Sequence, residues 1–92
     1  MSYSIDTTHR FDKALKRCIK RGLDMSKFKD CVRKLAEDGK LPVSYKPHKL
    51  SGKFKKAWEC HIEPDWLLVW EQNDKELTLL MLDTGTHSDI FG

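Results

Sequence analysis

The chain of 92 residues is long enough for one domain with a single modest hydrophobic core. Hydrophobic residues make up 39% of it and charged residues 34%, a balance typical of globular proteins and not of disordered chains. The sequence shows no apolar run of the roughly 20 residues that a membrane helix needs and no secretory signal pattern, so we expect a cytoplasmic protein without membrane association. The three cysteines lack Cys-x-x-Cys spacing and are predicted to be reduced and mostly buried.

The net charge of +3 conceals an uneven distribution of basic residues. Residues 1–60 contain 16 of the 17 lysines and arginines but only 7 of the 14 acidic residues. Between Asp38 and Glu59 there are six lysines and no acidic residue. Such a stretch suits a polyanion such as RNA, although composition alone gives a solvated lysine-rich loop equal weight. The acidic remainder argues against indiscriminate coating of nucleic acid.

The first half of the chain contains two amphipathic helical patterns. Thr7 or Thr8 can cap a first helix that Gly22 terminates, and Ser26 can cap a second that ends near Gly39. Their apolar stripes are Phe11, Leu15, Cys18 and Ile19 in the first helix, and Phe28, Cys31, Val32 and Leu35 in the second. Because the helices are separated by only a few residues, they are predicted to form a helical hairpin.

After Pro42 the helical periodicity is lost. Residues 44–54 are predicted to form a loop, and strand candidates follow at residues 55–62, 66–72 and 76–82. The middle candidate is apolar on both faces, as in a central strand. With a short strand candidate at residues 3–6, the predicted fold is α+β: an N-terminal strand, a helical hairpin and an antiparallel β-meander, in one domain over residues 1–92.

Three histidines lie in separate polar contexts outside the helical stripes. His48 lies in the predicted lysine-rich loop, and His87 lies in a polar segment, residues 84–89, interpreted as a turn. Alternation along the strand at residues 55–62 places Cys60 and His61 on opposite faces, with His61 near Asp65. Histidine suits both proton transfers that cleave RNA by its own 2′-hydroxyl, a reaction that needs no metal or cofactor. On the sequence alone, a single exposed histidine is nevertheless more often an incidental surface residue than a catalytic one.

The other candidate groups have competing structural interpretations. Trp66 and Trp70 bracket the central strand and are expected in the core. Phe91 is either a hydrophobic anchor or an aromatic platform for a base. A zinc site built from Cys60, His61, Asp65 and His87 is disfavoured, because Cys60 and His61 point to opposite faces and the spacing is not that of a zinc site.

Three linked segments resemble YafQ-type toxins of the RelE/ParE superfamily. They are residues 45–52 (YKPHKLSG), 59–69 (ECHIEPDWLLV) and 84–92 (TGTHSDIFG). Their order, their spacing and the preceding helical hairpin also agree, so the resemblance covers essentially the whole chain. It implies a RelE-like fold of the microbial RNase type and an endoribonuclease that cleaves translated mRNA in the A site of the 70S ribosome. It also implies neutralisation by a DinJ-like antitoxin, through which operator DNA is contacted.

The resemblance also implies roles for individual residues. His87 is expected to be the general acid, His48 or Asp65 the general base, and His61 a group that orients a partner or stabilises the phosphate. The expected substrate-binding residues are Phe91, Trp66, Lys49, Lys53, Lys55 and Lys56, with Trp66 expected to support the site. Trp58 and Asp83 stand where many relatives carry arginine, which leaves the source of phosphate stabilisation open. The alternative is a catalytically weak RNA- or ribosome-binding domain that blocks translation by occupancy.

Overall fold

The computed structural model describes residues 2–52 and 56–92, and it shows a five-stranded sheet with helices. In chain order the elements are β1 (Ser4–Thr7), α1 (His9–Lys20), α2 (Met25–Asp38), a 3₁₀ helix (Val43–Tyr45), β2 (His48–Lys49), β3 (Trp58–Glu63), β4 (Trp66–Asn73), β5 (Thr78–Gly85) and α3 (His87–Phe91). The strand order is β1-β5-β4-β3-β2, antiparallel except that β1 joins β5 in parallel. This confirms the predicted α+β architecture of an N-terminal strand, two helices and antiparallel strands.

Side-chain caps fix where the two long helices begin. The Thr8 hydroxyl accepts a hydrogen bond from the backbone N–H of Phe11 at 3.1 Å, so one of the two predicted caps of α1 is confirmed. The predicted cap of α2 is wrong: Asp24 caps this helix, and its carboxylate accepts from the backbone N–H of Ser26 at 3.0 Å. A carboxylate there also interacts favourably with the helix dipole. Gly39, with φ of 67°, ends α2 as predicted.

The two long helices pack on one face of the sheet around the main hydrophobic core. This core consists of Phe11, Cys31, Leu35, Leu41, Cys60, Leu68, Trp70, Leu79 and Met81. The predicted stripe of α2 packs there, but the stripe of α1 is wrong at one position, since Ile19 is 54% exposed and Ala14 is buried instead. The three cysteines are buried free thiols, as expected.

β4 is the central strand that its apolar sequence predicts. It pairs with β3 on one side and β5 on the other, and its first five residues, from Trp66 to Trp70, are all buried. The face opposite the two long helices holds a smaller cluster of Ala57, Leu67, Val69 and Ile90, the last contributed by α3. No helix in the described ranges is long and apolar enough to span a membrane.

Two segments predicted to be irregular, residues 44–54 and 84–89, contain strand or helix in the structure. Within the predicted loop, His48 and Lys49 pair with Glu59 and Trp58 as the short strand β2. The polar segment 84–89 is not a simple turn either, because β5 continues to Gly85 and α3 follows. Both elements are too short to produce a periodic pattern in the sequence.

Candidate active site

Three histidines from different elements meet at one end of the sheet. His48 comes from β2, His61 from β3 and His87 from the first position of α3. The ring centroids of His48 and His61 are 6.4 Å apart, and those of His61 and His87 are 5.8 Å apart. The fold therefore places the three histidines singled out in the sequence in one row, with His61 in the middle.

Asp65, in the turn between β3 and β4, holds His87 through two hydrogen bonds. Its Oδ1 accepts from the backbone N–H of His87 at 2.9 Å and lies 2.6 Å from Nδ1 of the ring. These bonds, the backbone one first, hold the pKa of Asp65 below its usual value, so this carboxylate stays ionised. With Nδ1 donating to Asp65, the Nε2 atom of His87 is left at the opposite side of the ring.

The short helix that carries His87 is anchored at its first turn. Thr86 and Asp89 form a capping box, in which the Asp89 carboxylate accepts from the backbone N–H of Thr86 at 2.9 Å. Both guanidinium NH₂ groups of Arg21 also donate to Asp89, at 2.5 and 3.1 Å. The Arg21 guanidinium is the main reason that the pKa of Asp89 lies far below its usual value. α3 is thus tied to the end of α1, and this contact fixes the position of His87, the first residue of α3.

Gly85 allows this cap to form. Its φ of 146° lies in a region that L side chains rarely adopt, and an added Cβ would lie 2.7 Å from Oδ2 of Asp89. This requirement explains the glycine of the Thr-Gly-Thr-His segment, since a side chain there would displace the carboxylate that orients α3.

The Trp66 side chain stacks on Phe28 of α2, with 6.4 Å between ring centroids. It is 2% exposed, and its indole N–H donates to the Thr84 hydroxyl at 3.0 Å. That hydroxyl donates in turn to the carbonyl of Leu67 at 2.7 Å. This burial fits the expected supporting role of Trp66 better than direct contact with substrate. Phe91 is 47% exposed at the end of α3, where an aromatic side chain is accessible to a base.

The backbone and a carboxylate determine how the other two histidines are presented. Nδ1 of His61 lies 3.2 Å from the carbonyl oxygen of Pro64, an arrangement that places the proton on Nδ1 and the lone pair on Nε2. Nδ1 of His48 lies 2.8 Å from the carbonyl oxygen of Lys46, and its Nε2 lies 3.1 Å from Oε1 of Glu59. Glu59 is a buried residue that sequence reasoning missed, although strand alternation places it on the same face as His61.

Of the four predicted lysines, the two that the structure describes, Lys49 and Lys56, do not lie beside the histidines. The ammonium group of Lys49 lies 5.7 Å from the ring centroid of Trp58, and adjacent strand residues point to opposite faces, so Lys49 is directed away from the face of His48. Lys49 and Lys56 line a surface hollow that none of the three histidines lines. The predictions for Lys53 and Lys55 lie outside the described residues.

Trp58 and Asp83, the two positions where the resemblance leads us to expect arginine, contact residues of the protein interior. Trp58 stacks on Trp70 with 6.3 Å between ring centroids. Asp83 is buried and accepts from Nε of Arg10 at 3.1 Å and from the backbone N–H of Thr84 at 2.9 Å. Neither position supplies a cation to the histidine row.

No group of three or more histidine, cysteine or acidic residues within the described ranges is arranged to hold a metal ion. Cys60 packs in the core beneath the helices, with its sulfur 3.8 Å from that of Cys31. The hydrogen bond with the Cys31 thiol, together with burial, raises the pKa of Cys60 far above its usual value, which disfavours the thiolate that a metal needs. The disfavoured zinc site therefore gains no support from the geometry.

Comparison with known proteins identifies the family. The profile of the bacterial toxin of type II toxin–antitoxin systems, YafQ, matches residues 3–92. The chain belongs to the YafQ toxin family. The mRNA interferase toxin YafQ of Escherichia coli strain K12 is 37% identical over 89 residues, which cover 96% of this chain and 95% of that protein. The resemblance seen in the three sequence segments is thereby confirmed.

Two solved toxin structures have the same fold. One chain of the toxin–antitoxin complex DinJ–YafQ of E. coli matches with a TM-score of 0.89 and 34% identity, over 100% of this chain and 100% of that one. A metal-bound toxin from Helicobacter pylori matches with a TM-score of 0.87 and 40% identity, over 99% of this chain and 100% of that one.

Proposed function

We propose that this YafQ-family toxin is an endoribonuclease that cleaves mRNA by acid–base catalysis with its own histidines, without a metal ion. Similarity to the mRNA interferase toxin of E. coli over 96% of the chain supports the substrate class. The observation that carries the mechanism is the pair His61 and His87, whose ring centroids are 5.8 Å apart and whose Nδ1 atoms face different acceptors, the Pro64 carbonyl for His61 and the Asp65 carboxylate for His87. The carbonyl suits a neutral ring that accepts a proton at Nε2, whereas the carboxylate suits an imidazolium that donates one.

His87 acts as the general acid. The ionised Asp65 holds Nδ1–H and stabilises the imidazolium, so that Nε2–H donates its proton to the 5′-oxygen as the P–O5′ bond breaks. This assigns Asp65 an orienting role, because its Oδ1 is already engaged by two donors of His87.

His61 acts as the general base. The Pro64 carbonyl holds its Nδ1–H, so the Nε2 lone pair removes the 2′-hydroxyl proton as the 2′-oxygen attacks phosphorus. Asp65 and His48, the bases considered from the sequence, are both engaged by other groups in this structure. His48 instead supplies positive charge beside the phosphate. The products are a 2′,3′-cyclic phosphate and a 5′-hydroxyl.

The proposed setting is the ribosomal A site, with translated mRNA as the substrate and the half-exposed Phe91 stacking on a base. A DinJ-like antitoxin neutralises the enzyme, and operator DNA is contacted through that antitoxin. The DinJ–YafQ complex of E. coli supports the antitoxin partner. The basic first two thirds of the chain support binding to an RNA-rich surface, which should weaken as salt rises.

The direct test uses antitoxin-free protein and a defined mRNA, with and without ribosomes, followed by mapping of the cut ends. Wild type is expected to cleave only on the ribosome, and His87→Ala is expected to lose cleavage. His9→Ala is the matched control, because His9 begins α1 and lies outside the histidine row. Translational arrest without any cleavage by wild type would refute the enzyme and favour a module that blocks translation by occupancy.

A further inference from the structure

Glu59 is a buried carboxylate in β3 with an incomplete set of partners. The residue is 4% exposed, and a buried carboxylate is costly unless it is paired. Its Oε1 lies 3.1 Å from Nε2 of His48. Within the described ranges, its other oxygen, Oε2, has no hydrogen-bond partner. Among the described residues, His48 is therefore the partner that offsets the cost of burying this carboxylate.

The ring of His48 faces an acceptor at each nitrogen. Nδ1 faces the carbonyl oxygen of Lys46 at 2.8 Å, while Nε2 faces Glu59. A neutral imidazole carries one N–H, so in either tautomer a nitrogen lone pair would point at an oxygen atom. With Glu59 ionised, both contacts are satisfied together only when the ring carries a proton on each nitrogen.

We propose that Glu59 is a positioning residue that keeps His48 in its doubly protonated form, with its positive charge at the protein surface. The side chain of Glu59 is 5% exposed and that of His48 is 47% exposed, so the negative end of the pair is buried and the positive end faces outward. This inference rests on the proposed function, since the charge of His48 serves catalysis only if a phosphate occupies the histidine row.

The titratable side chains near this pair include, among the described residues, those of His61, Lys46 and Glu63. The ring of His61 lies 6.4 Å from that of His48 between centroids. Lys46 and Glu63 line the adjoining hollow together with His61. Glu63 is already paired with Lys27 at 2.9 Å, so it does not replace Glu59 as the partner of His48.

The first arm of the test reads the protonation of His48 directly. The sample is ¹⁵N-labelled, antitoxin-free protein at neutral pH. NMR correlations from the carbon-bound ring protons give the chemical shift of each ring nitrogen, which shows whether that nitrogen is protonated. The signals of His48 are assigned by their loss in His48→Ala. We expect two protonated nitrogens in wild type and in Glu63→Gln, the control on the same strand, but one in Glu59→Gln. A singly protonated His48 in wild type, or an unchanged ring in Glu59→Gln, would overturn the proposal. If Glu59→Gln fails to fold, the wild-type spectrum still decides.

The second arm measures mRNA cleavage. Glu59→Gln should slow cleavage by roughly 10- to 100-fold, by analogy with the loss when the partner of a metal-bound histidine is removed. In a His48→Ala background the same substitution should cause no further loss, because the two residues act as one unit. Independent, multiplicative losses would contradict the pairing. If wild type does not cleave mRNA at all, the proposed function fails while the ring spectrum still tests Glu59, so the two failures are distinguishable.

Discussion

Asp65 and His87 are joined through a single oxygen atom, which accepts both the backbone N–H and the ring Nδ1–H of His87, at 2.9 and 2.6 Å. The two residues come from the β3–β4 turn and from the start of α3. One atom therefore fixes the position of the helix start and the orientation of its first side chain.

Replacing this carboxylate by an amide should slow catalysis without unfolding the protein. In Asp65→Asn the imidazolium form of His87 loses its negative partner, and we expect the rate of mRNA cleavage to fall by roughly 100-fold or more. The melting temperature should stay near that of wild type, since both side chains are more than half exposed. Asp6→Asn, at an exposed position in β1, is the control. Equal cleavage rates for the two variants would contradict the role of Asp65.

A side chain at Gly85 should disturb the site through the cap of α3. Gly85→Ala places Cβ 2.7 Å from Oδ2 of Asp89 at a φ of 146°. We expect a loss of roughly 1–3 kcal/mol in the free energy of unfolding, measured with denaturant, together with reduced cleavage. Gly22→Ala is the matched control, because Gly22 also has a positive φ, 79°, but no atom lies within 4 Å of its added Cβ. A variant at Gly85 that is no less active than the one at Gly22 would refute this account of the motif.

The ion pairs of α3 should make stability depend on pH in the acid range. Because the pKa of Asp89 is lowered, chiefly by Arg21, its contribution is present above the unfolded value of about 4 and is lost as pH falls toward the folded one. Melting temperatures measured from pH 7 down to pH 2 should therefore fall steeply below about pH 4. Asp89→Asn should melt lower at neutral pH and lose less on acidification. Parallel curves for the two proteins would contradict this assignment.

Asp83 should not tolerate the arginine that the resemblance to YafQ-type toxins leads us to expect there. Asp83→Arg removes the partner of Arg10, places two guanidinium groups together and leaves the backbone N–H of Thr84 without its carboxylate. We expect a loss of roughly 1–3 kcal/mol in the free energy of unfolding and no gain in cleavage rate. Asp83→Asn, which keeps an acceptor, should lose less. Faster cleavage by Asp83→Arg would show that the missing arginine limits this enzyme.

Most of the architecture could be predicted because periodicity and turn chemistry report long elements well. The stripe of α2, the cap at Thr8 and the fully apolar β4 are examples. The short elements β2 and α3 could not be predicted from periodicity. In α3 the Thr86–Asp89 spacing was the available signal, and it resembles the capping box in which glutamate is the usual partner.

The site was less predictable than the fold, because the role of a residue depends on distances across the sheet. The resemblance to the toxin family singled out His48, His61 and His87, but no sequence pattern reports that Asp65 is engaged by His87 or that Glu59 lies beneath His48. The lysine-rich stretch indicated polyanion binding without showing that Lys49 points away from His48. Those facts arise from register and burial, which a single sequence does not specify.

Protonation of the departing 5′-oxygen by His87 can be tested with a modified substrate. In an mRNA whose scissile linkage carries sulfur in place of that oxygen, the leaving group needs no proton. His87→Ala should then cleave at close to the wild-type rate, while His61→Ala should remain slow because the 2′-hydroxyl still needs a base. If the modified linkage does not restore cleavage to His87→Ala, or restores it equally to His61→Ala, His87 is not the general acid.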